Sequence, residues 1–201
     1  MKKILAIALV LSMLAVAGCG AATPAPAPAP APAPSESTPA PAATAALKVG
    51  MGSLTSLGSS KAATEDNGPA AQADTTMAVV SLDESGKIVY VSIDVVQAKV
   101  AYDSKGALKT DVAAGVKTKK QLGEDYGMRK ASAIGKEWFE QIAAFEEYIT
   151  GKTIDEIKAM PTKVKDENHP KVPDVAELAS SCTMNVGDYI DAVALAASNA
   201  K

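Results

Sequence analysis

Few residues in this chain could carry chemistry. Its single histidine, His169, stands in the polar stretch DENHPKVP. No Cys, Asp or Glu accompanies it at ligand spacing on a regular element, so no metal site is assigned. One loop histidine also supplies neither a Ser–His–Asp nor a Cys–His arrangement, and no catalytic residue is assigned. Glu137, Glu140, Glu146 and Glu147 flank an apolar stripe. They read as the solvated face of an amphipathic helix rather than as an acid–base pair. The segment LGEDYGMRKASAIGKEW, residues 122–138, gathers Tyr126 and Trp138 with Arg129, Lys130 and three glycines. It is either a loop packed by its aromatics or a mouth where backbone amides and Arg129 or Lys130 meet an anionic or planar ligand. The run Ser180-Ser181-Cys182-Thr183 sits in ELASSCTMNVGDYIDAV, just ahead of a helical pattern. There Cys182 is either a thiol activated by a helix start or a small residue packed beneath the helix.

The elements that must position these groups are legible from periodicity. Thr75–Leu82 is rich in β-branched residues, and Asp83-Glu84-Ser85-Gly86 is a turn cluster. Val89, Val91, Ile93 and Val95 then alternate with Tyr90, Ser92 and Asp94, which predicts an antiparallel hairpin. A further strand is expected upstream in LKVGMGSLTSLG, where Gly50 and Gly52 permit a bulge or a close approach. Those glycines are no phosphate cradle, because no Lys-Ser or Lys-Thr pair follows them. A short strand is expected near Leu108. Trp138, Ile142, Phe145 and Ile149 form one helical stripe with Gly151 as its stop. Thr153 and Glu156 form a capping box for a short helix ended by Pro161. TKVKDENHPKVPD reads as a loop, and residues 188–199 as a terminal helix burying Tyr189, Ile190, Val193 and Leu195. Strands first and helices second predict an α+β fold, an antiparallel sheet from the first half of the domain packed by helices from the second half.

Residues 1–18 read as a lipoprotein signal peptide. Lys2 and Lys3 precede an apolar run, and Val16-Ala17-Gly18-Cys19 is similar to a bacterial lipobox, with Cys19 as the lipidated residue. Residues 19–46 are the lipidated Cys and a Pro/Ala-rich stalk. Alternating proline favours polyproline II, and residues 22–46 would reach about 75 Å at ~3.1 Å per residue. Residues 47–201 are one domain of ordinary size. Cys182 is the only cysteine left there, so no intrachain disulfide is available. Loss of Lys2 and Lys3 takes the net charge from −3 to about −5. The acidic balance and the lack of a basic stripe exclude nucleic acid as a partner and leave the lipid as the link to the membrane. The expected location is extracytoplasmic, on the outer face of the cytoplasmic membrane of a Gram-positive cell.

Three stretches give the domain a resemblance to the FMN-binding-domain family of secreted and lipid-anchored bacterial proteins. They are DESGKIVYVSID, LGEDYGMRKASAIGKEWFEQIAAFEEYITGKTIDEI, and ELASSCTMNVGDYIDAV. The second is similar to the Gram-positive lipoprotein subgroup, and the third resembles the family's flavin-attachment segment in degenerate form. The resemblance implies that Thr183 is the hydroxyl that carries FMN through a phosphoester, installed by a flavin transferase that uses FAD. Ser180 matches the family's Ser or Thr, and Glu177 stands where the family has Asp. Ser181 replaces a Gly whose backbone freedom it lacks, and Cys182 replaces an Ala. The hydroxyl is kept while the loop around it is altered. This leaves three outcomes: FMN bound covalently, FMN or another planar ligand bound non-covalently, or a fold that has lost flavin. The implied function is a membrane-anchored, flavin-based electron carrier served by a membrane reductase, a carrier or binding module more than an enzyme. The alternative is a non-redox ligand-binding or envelope-associated lipoprotein.

The N-terminal reading has a direct test. Cys19→Ala should shift the protein from the membrane fraction to the soluble or secreted fraction. Full membrane partition of the variant would exclude lipid anchoring at Cys19.

Overall fold

Alternating β-branched residues and two Asp-x-x-Gly turns build a meander. In the computed structural model, which describes residues 46–201, β1 (Lys48–Ser56), β2 (Ala70–Leu82) and β3 (Ile88–Ala101) form a three-stranded antiparallel sheet in the order β1-β2-β3. The signal, Cys19 and nearly all of the stalk lie outside the described residues. In the β2–β3 turn, the Asp83 carboxylate accepts from the amides of Ser85 and Lys87, each at 2.9 Å. Gly86 closes the turn at φ 78°, a conformation that side chains resist. Asp103 repeats the device after β3, accepting from the amides of Lys105 and Ala107. The strand expected near Leu108 is a single bridge from Leu108 to Tyr102.

One face of the sheet is buried. Val80 pairs with Val91, Ala78 with Ile93 and Thr76 with Val95, so residues two apart on each strand share that face. Val89 departs from the alternation and is 43% exposed. Ser81 pairs with Tyr90, but Leu82 pairs with Ile88, which leaves Val89 as the extra residue of a β-bulge. The bulge turns Ile88 inward in its place, fully buried.

After β3 come α1 (Lys119–Leu122), α2 (Trp138–Ile149), α3 (Ile154–Lys158) and α4 (Gly187–Ser198). Between α3 and α4, β4 (Thr162–Lys163) and β5 (Val172–Pro173) form a small antiparallel ribbon within the stretch expected to be loop. The fold is α+β, with the sheet from the first half and the helices from the second. Trp138, Ile142, Phe145 and Ile149 are buried on α2, as their spacing predicts. Gly151 has φ 82°, and its amide donates to the Ile88 carbonyl at 2.7 Å, tying the end of α2 to the start of β3. The Thr153–Glu156 capping box opens α3. On α4, Tyr189, Ile190 and Val193 are buried, whereas Leu195 is only half-buried. Ala192 and Ala196 are fully buried on the side where α4 lies close to the sheet.

That closeness comes from the two glycines of β1. A Cβ on Gly50 would lie 2.0 Å from the Ala196 carbonyl oxygen, and one on Gly52 would lie 2.3 Å from that of Ala192. The glycines therefore serve close helix–strand approach. The seam continues past the helix, where Lys201 and Val49 exchange backbone hydrogen bonds of 3.2 and 3.3 Å. Gly52→Ala should push α4 off the sheet and destabilise the domain by roughly 1–3 kcal/mol or more, the range for overpacking. Chemical denaturation measures this; a neutral result would show that α4 does not need the contact.

Candidate functional site

The buried face of the sheet runs out into a cleft of about 460 Å³ at the far ends of β2 and β3. Asp74, Thr76, Val95 and Gln97 come from the strands, Lys119 from α1, and Tyr126 and Met128 from the two 3₁₀ turns that follow α1. Trp138 at the start of α2 and Tyr189 in the first turn of α4 form the floor. Thr183 stands on the wall, and Lys165, Asn168 and His169 approach from the loop between β4 and β5.

The aromatic floor is fixed by its polar ends. Trp138 Nε1 donates to the Tyr189 hydroxyl at 2.9 Å, with the rings edge-on at 77°. Burial drives the Tyr189 hydroxyl well above its ordinary pKa, so it stays protonated. Lys119 Nζ lies 4.8 Å from the centre of the Tyr126 ring and 5.4 Å from that of Trp138, bringing a cation to the aromatic wall. Opposite, the Asp74 carboxylate accepts from Gln72 at 2.7 Å, from Gln97 at 3.1 Å and from the Ser59 hydroxyl. Burial raises the Asp74 carboxyl, but these hydrogen bonds and the Lys119 charge outweigh it and hold the group below its ordinary range. The cleft therefore offers aromatic surface, the ammonium groups of Lys119 and Lys165, the carboxylates of Asp74 and Asp188, and hydroxyls that include that of Thr183.

Of the five residues that the resemblance assigns to flavin attachment, Thr183 alone lines this cleft. Glu177 is exposed on the 3₁₀ turn before it, and Ser180 is exposed in the turn that follows. Ser181 donates its amide to the Leu178 carbonyl and its hydroxyl to that of Glu177, both at 3.1 Å. Cys182 is fully buried, and α4 begins only at Gly187. Desolvation pushes its thiol from an ordinary 9.0 up to about 11. The helix-activated thiol is thus corrected by geometry, and Cys182 is a packing residue.

Two further expectations change. The amides of Met128 and Arg129 do not face a ligand, because each donates to a carboxylate oxygen of Glu137 at 2.8 Å. Arg129 points the other way, onto Glu124 at 2.7 Å and Glu140 at 3.0 Å, and Lys130 is exposed. Glu137 is itself buried, and Glu146 accepts from Lys120 Nζ at 2.6 Å and from the Ile93 amide at 2.5 Å. These two acids belong to the packing rather than to a solvated face. His169 pairs with Asp166 at 2.6 Å. Among the described residues no group of three or more His, Cys, Asp and Glu side chains converges to hold a metal ion.

Sequence reasoning missed Asp74, Gln97, Lys119 and Gln141. Asp74 and Gln97 continue the inward register of their strands, so polar residues ending an apolar alternation were the available signal. Gln141 is fully buried within the α2 stripe, and its carboxamide oxygen accepts from the Thr183 amide at 3.0 Å. A polar residue on an apolar helical face was the signal there.

No protein-family model matches the chain, and no solved structure matches it. It is similar to a curated protein named chlorophenol reductase, from Desulfitobacterium hafniense, with 38% identity over 106 residues. The match covers 47% of this chain and 32% of that protein, so the chain spans about a third of its relative's length.

The burial of Cys182 has two measurable consequences. Maleimide should label the thiol only after the protein is unfolded. The raised pKa stabilises the fold fully below about 9, where the thiol is protonated in both states. That contribution is lost as pH climbs towards about 11 and the unfolded thiol ionises first. Unfolding measured across this window should be steeper in pH for the native chain than for Cys182→Ala. Rapid labelling of the folded protein would show the thiol to be accessible.

Proposed function

We propose that residues 47–201 form an FMN-carrying domain of the FMN-binding type, working as a membrane-anchored electron carrier outside the cell. The observation that carries this reading is the position of Thr183. Its side chain stands on the wall of a cleft whose floor is Trp138 and Tyr189 and whose side is Tyr126 and Lys119. The volume is in the range of cofactor pockets, and a hydroxyl beside aromatic surface suits a planar group tethered through a phosphate. Thr183 Oγ1 would hold the phosphate, with Lys119 supplying positive charge to the ring's polar edge. When bound, FMN supplies the electron-transfer chemistry, and the protein supplies position and electrostatics. The relative's name, a reductase, supports a redox setting for the shared stretch. Lipidated Cys19 and the Pro/Ala stalk would let the domain move between a membrane reductase and an external acceptor.

A second reading, a non-redox ligand-binding lipoprotein that keeps the fold without flavin, is favoured by the attachment loop. Ser181 and Cys182 are both engaged with the rest of the domain, which ties down a segment that must enter a transferase.

The full chain produced alongside a flavin transferase separates the two. An FMN-sized mass increment and a yellow colour that survives denaturation are expected, both lost in Thr183→Ala. Absence of the increment with an active transferase would overturn attachment. A native protein without visible flavin absorption would favour the second reading.

A further inference from the structure

Gln141 stands fully buried in the middle of the apolar face of α2, between Trp138 and Phe145. A buried carboxamide must have its oxygen and both its N–H groups answered. Here Nε2 donates to the Lys136 carbonyl and to the Ser132 hydroxyl, both at 3.2 Å. Oε1 accepts from the Thr183 amide at 3.0 Å and has the Thr183 hydroxyl within 3.5 Å. Since Lys136 offers only a carbonyl and the Thr183 backbone only an N–H, the orientation of the carboxamide is fixed by its partners.

Thr183 is also held on both sides along the chain. Cys182 and Met184 are buried on either side of it, and Thr183 and Met184 both line the cleft. A loop residue is thereby referenced to α2 instead of drifting with its own loop.

We propose that Gln141 is the positioning residue for the Thr183 hydroxyl, presenting it to a flavin transferase in one fixed orientation. This rests on the FMN-carrying reading given above. In the step it serves, Thr183 Oγ1 forms a bond to the FMN-side phosphorus of FAD. The phosphoanhydride bond to AMP breaks, AMP leaves, and the hydroxyl proton passes to a base of the transferase. No electron is gained or lost. Gln141 touches neither FAD nor the reacting phosphorus. It acts by holding the nucleophile's backbone amide on a rigid helix, which fixes where the hydroxyl stands at the cleft.

The test is steady-state flavinylation of the full chain by a purified transferase with FAD, followed by intact mass. Gln141→Met should lower the turnover at saturating protein substrate roughly tenfold or more, with KM little changed, as misplacement of a reacting group does. Gln141→Glu keeps an oxygen for the Thr183 amide and, as the neutral acid its buried place favours, a donor for the Lys136 carbonyl, so it should retain most of the turnover. Thr153→Ala, which removes the distant cap of α3, controls for lost stability and should leave turnover unaltered. A Gln141→Met variant that loads like the native chain, loses only KM, or is matched by Thr153→Ala or Gln141→Glu overturns the positioning role while the FMN reading stands. If Gln141→Met does not fold, loss of turnover in a folded Gln141→Glu overturns the role as well. A native chain that is never loaded overturns both the role and the reading beneath it.

Discussion

Helix α2 and its N-cap Glu137 answer the backbone amides of three other chain segments with their side chains, and the cleft depends on this. Glu137 takes those of Met128 and Arg129, Gln141 takes that of Thr183, and Glu146 takes that of Ile93. Each of these N–H groups lies where a neighbouring strand or helix cannot reach it. A buried donor left without a partner costs about 1–3 kcal/mol, so four such bonds on one helix define where the segments can sit. The turn before the helix, the loop before α4 and the edge of β3 are all referenced to the same rigid rod. Lys120 reinforces the last of these by pairing with Glu146 at 2.6 Å.

The second constraint is steric, and it works from the opposite side of the cleft. The glycines of β1 let the backbone of α4 descend onto the sheet, and Ala192 and Ala196 keep the seam narrow. The first turn of α4 then brings Tyr189 edge-on to Trp138 at a centroid distance of 6.1 Å. The floor of the cleft is therefore the meeting of one helix located by hydrogen bonds and another located by close packing. Each ring is tied to the other, because the buried Trp138 N–H is answered by the Tyr189 oxygen.

Legibility in the sequence followed the kind of force involved. Apolar periodicity gave β2, β3, α2 and α4, and local backbone chemistry gave the Gly86 turn, the Gly151 stop and the Thr153 cap. Each of these is decided within a few residues. Val89 was misplaced because a bulge is set by pairing with β2, which no local alternation reveals. Glu137 and Glu146 were read as solvated because a carboxylate beside an apolar stripe looks the same in sequence whether it faces water or a distant amide. Leu195 yielded the tightest positions to Ala192 and Ala196 because close packing against glycine rewards small residues over large ones. At the site, the stretch 122–138 was rightly singled out for Tyr126 and Trp138. Its cations do not reach the cleft, since Arg129 is bound by Glu124 and Glu140, and the ammonium beside the aromatic rings comes from Lys119.

The segment Glu177–Thr183, proposed above for attachment, takes on a different character in this setting. Ser181 and Cys182 stand where the resemblance expects Gly and Ala, and backbone freedom is the natural measure of that loss. Here, however, the segment has acquired other supports. The Ser181 hydroxyl closes a turn on Glu177, the Cys182 side chain fills core, and the Thr183 amide is carried by Gln141. A loop with glycine gains its geometry from freedom and is fixed only when a partner binds. This loop gains it from contacts already made. The consequence is a trade between pre-organisation and access: the hydroxyl is presented in one place at little entropic cost, but the turn around it cannot open without giving up buried contacts.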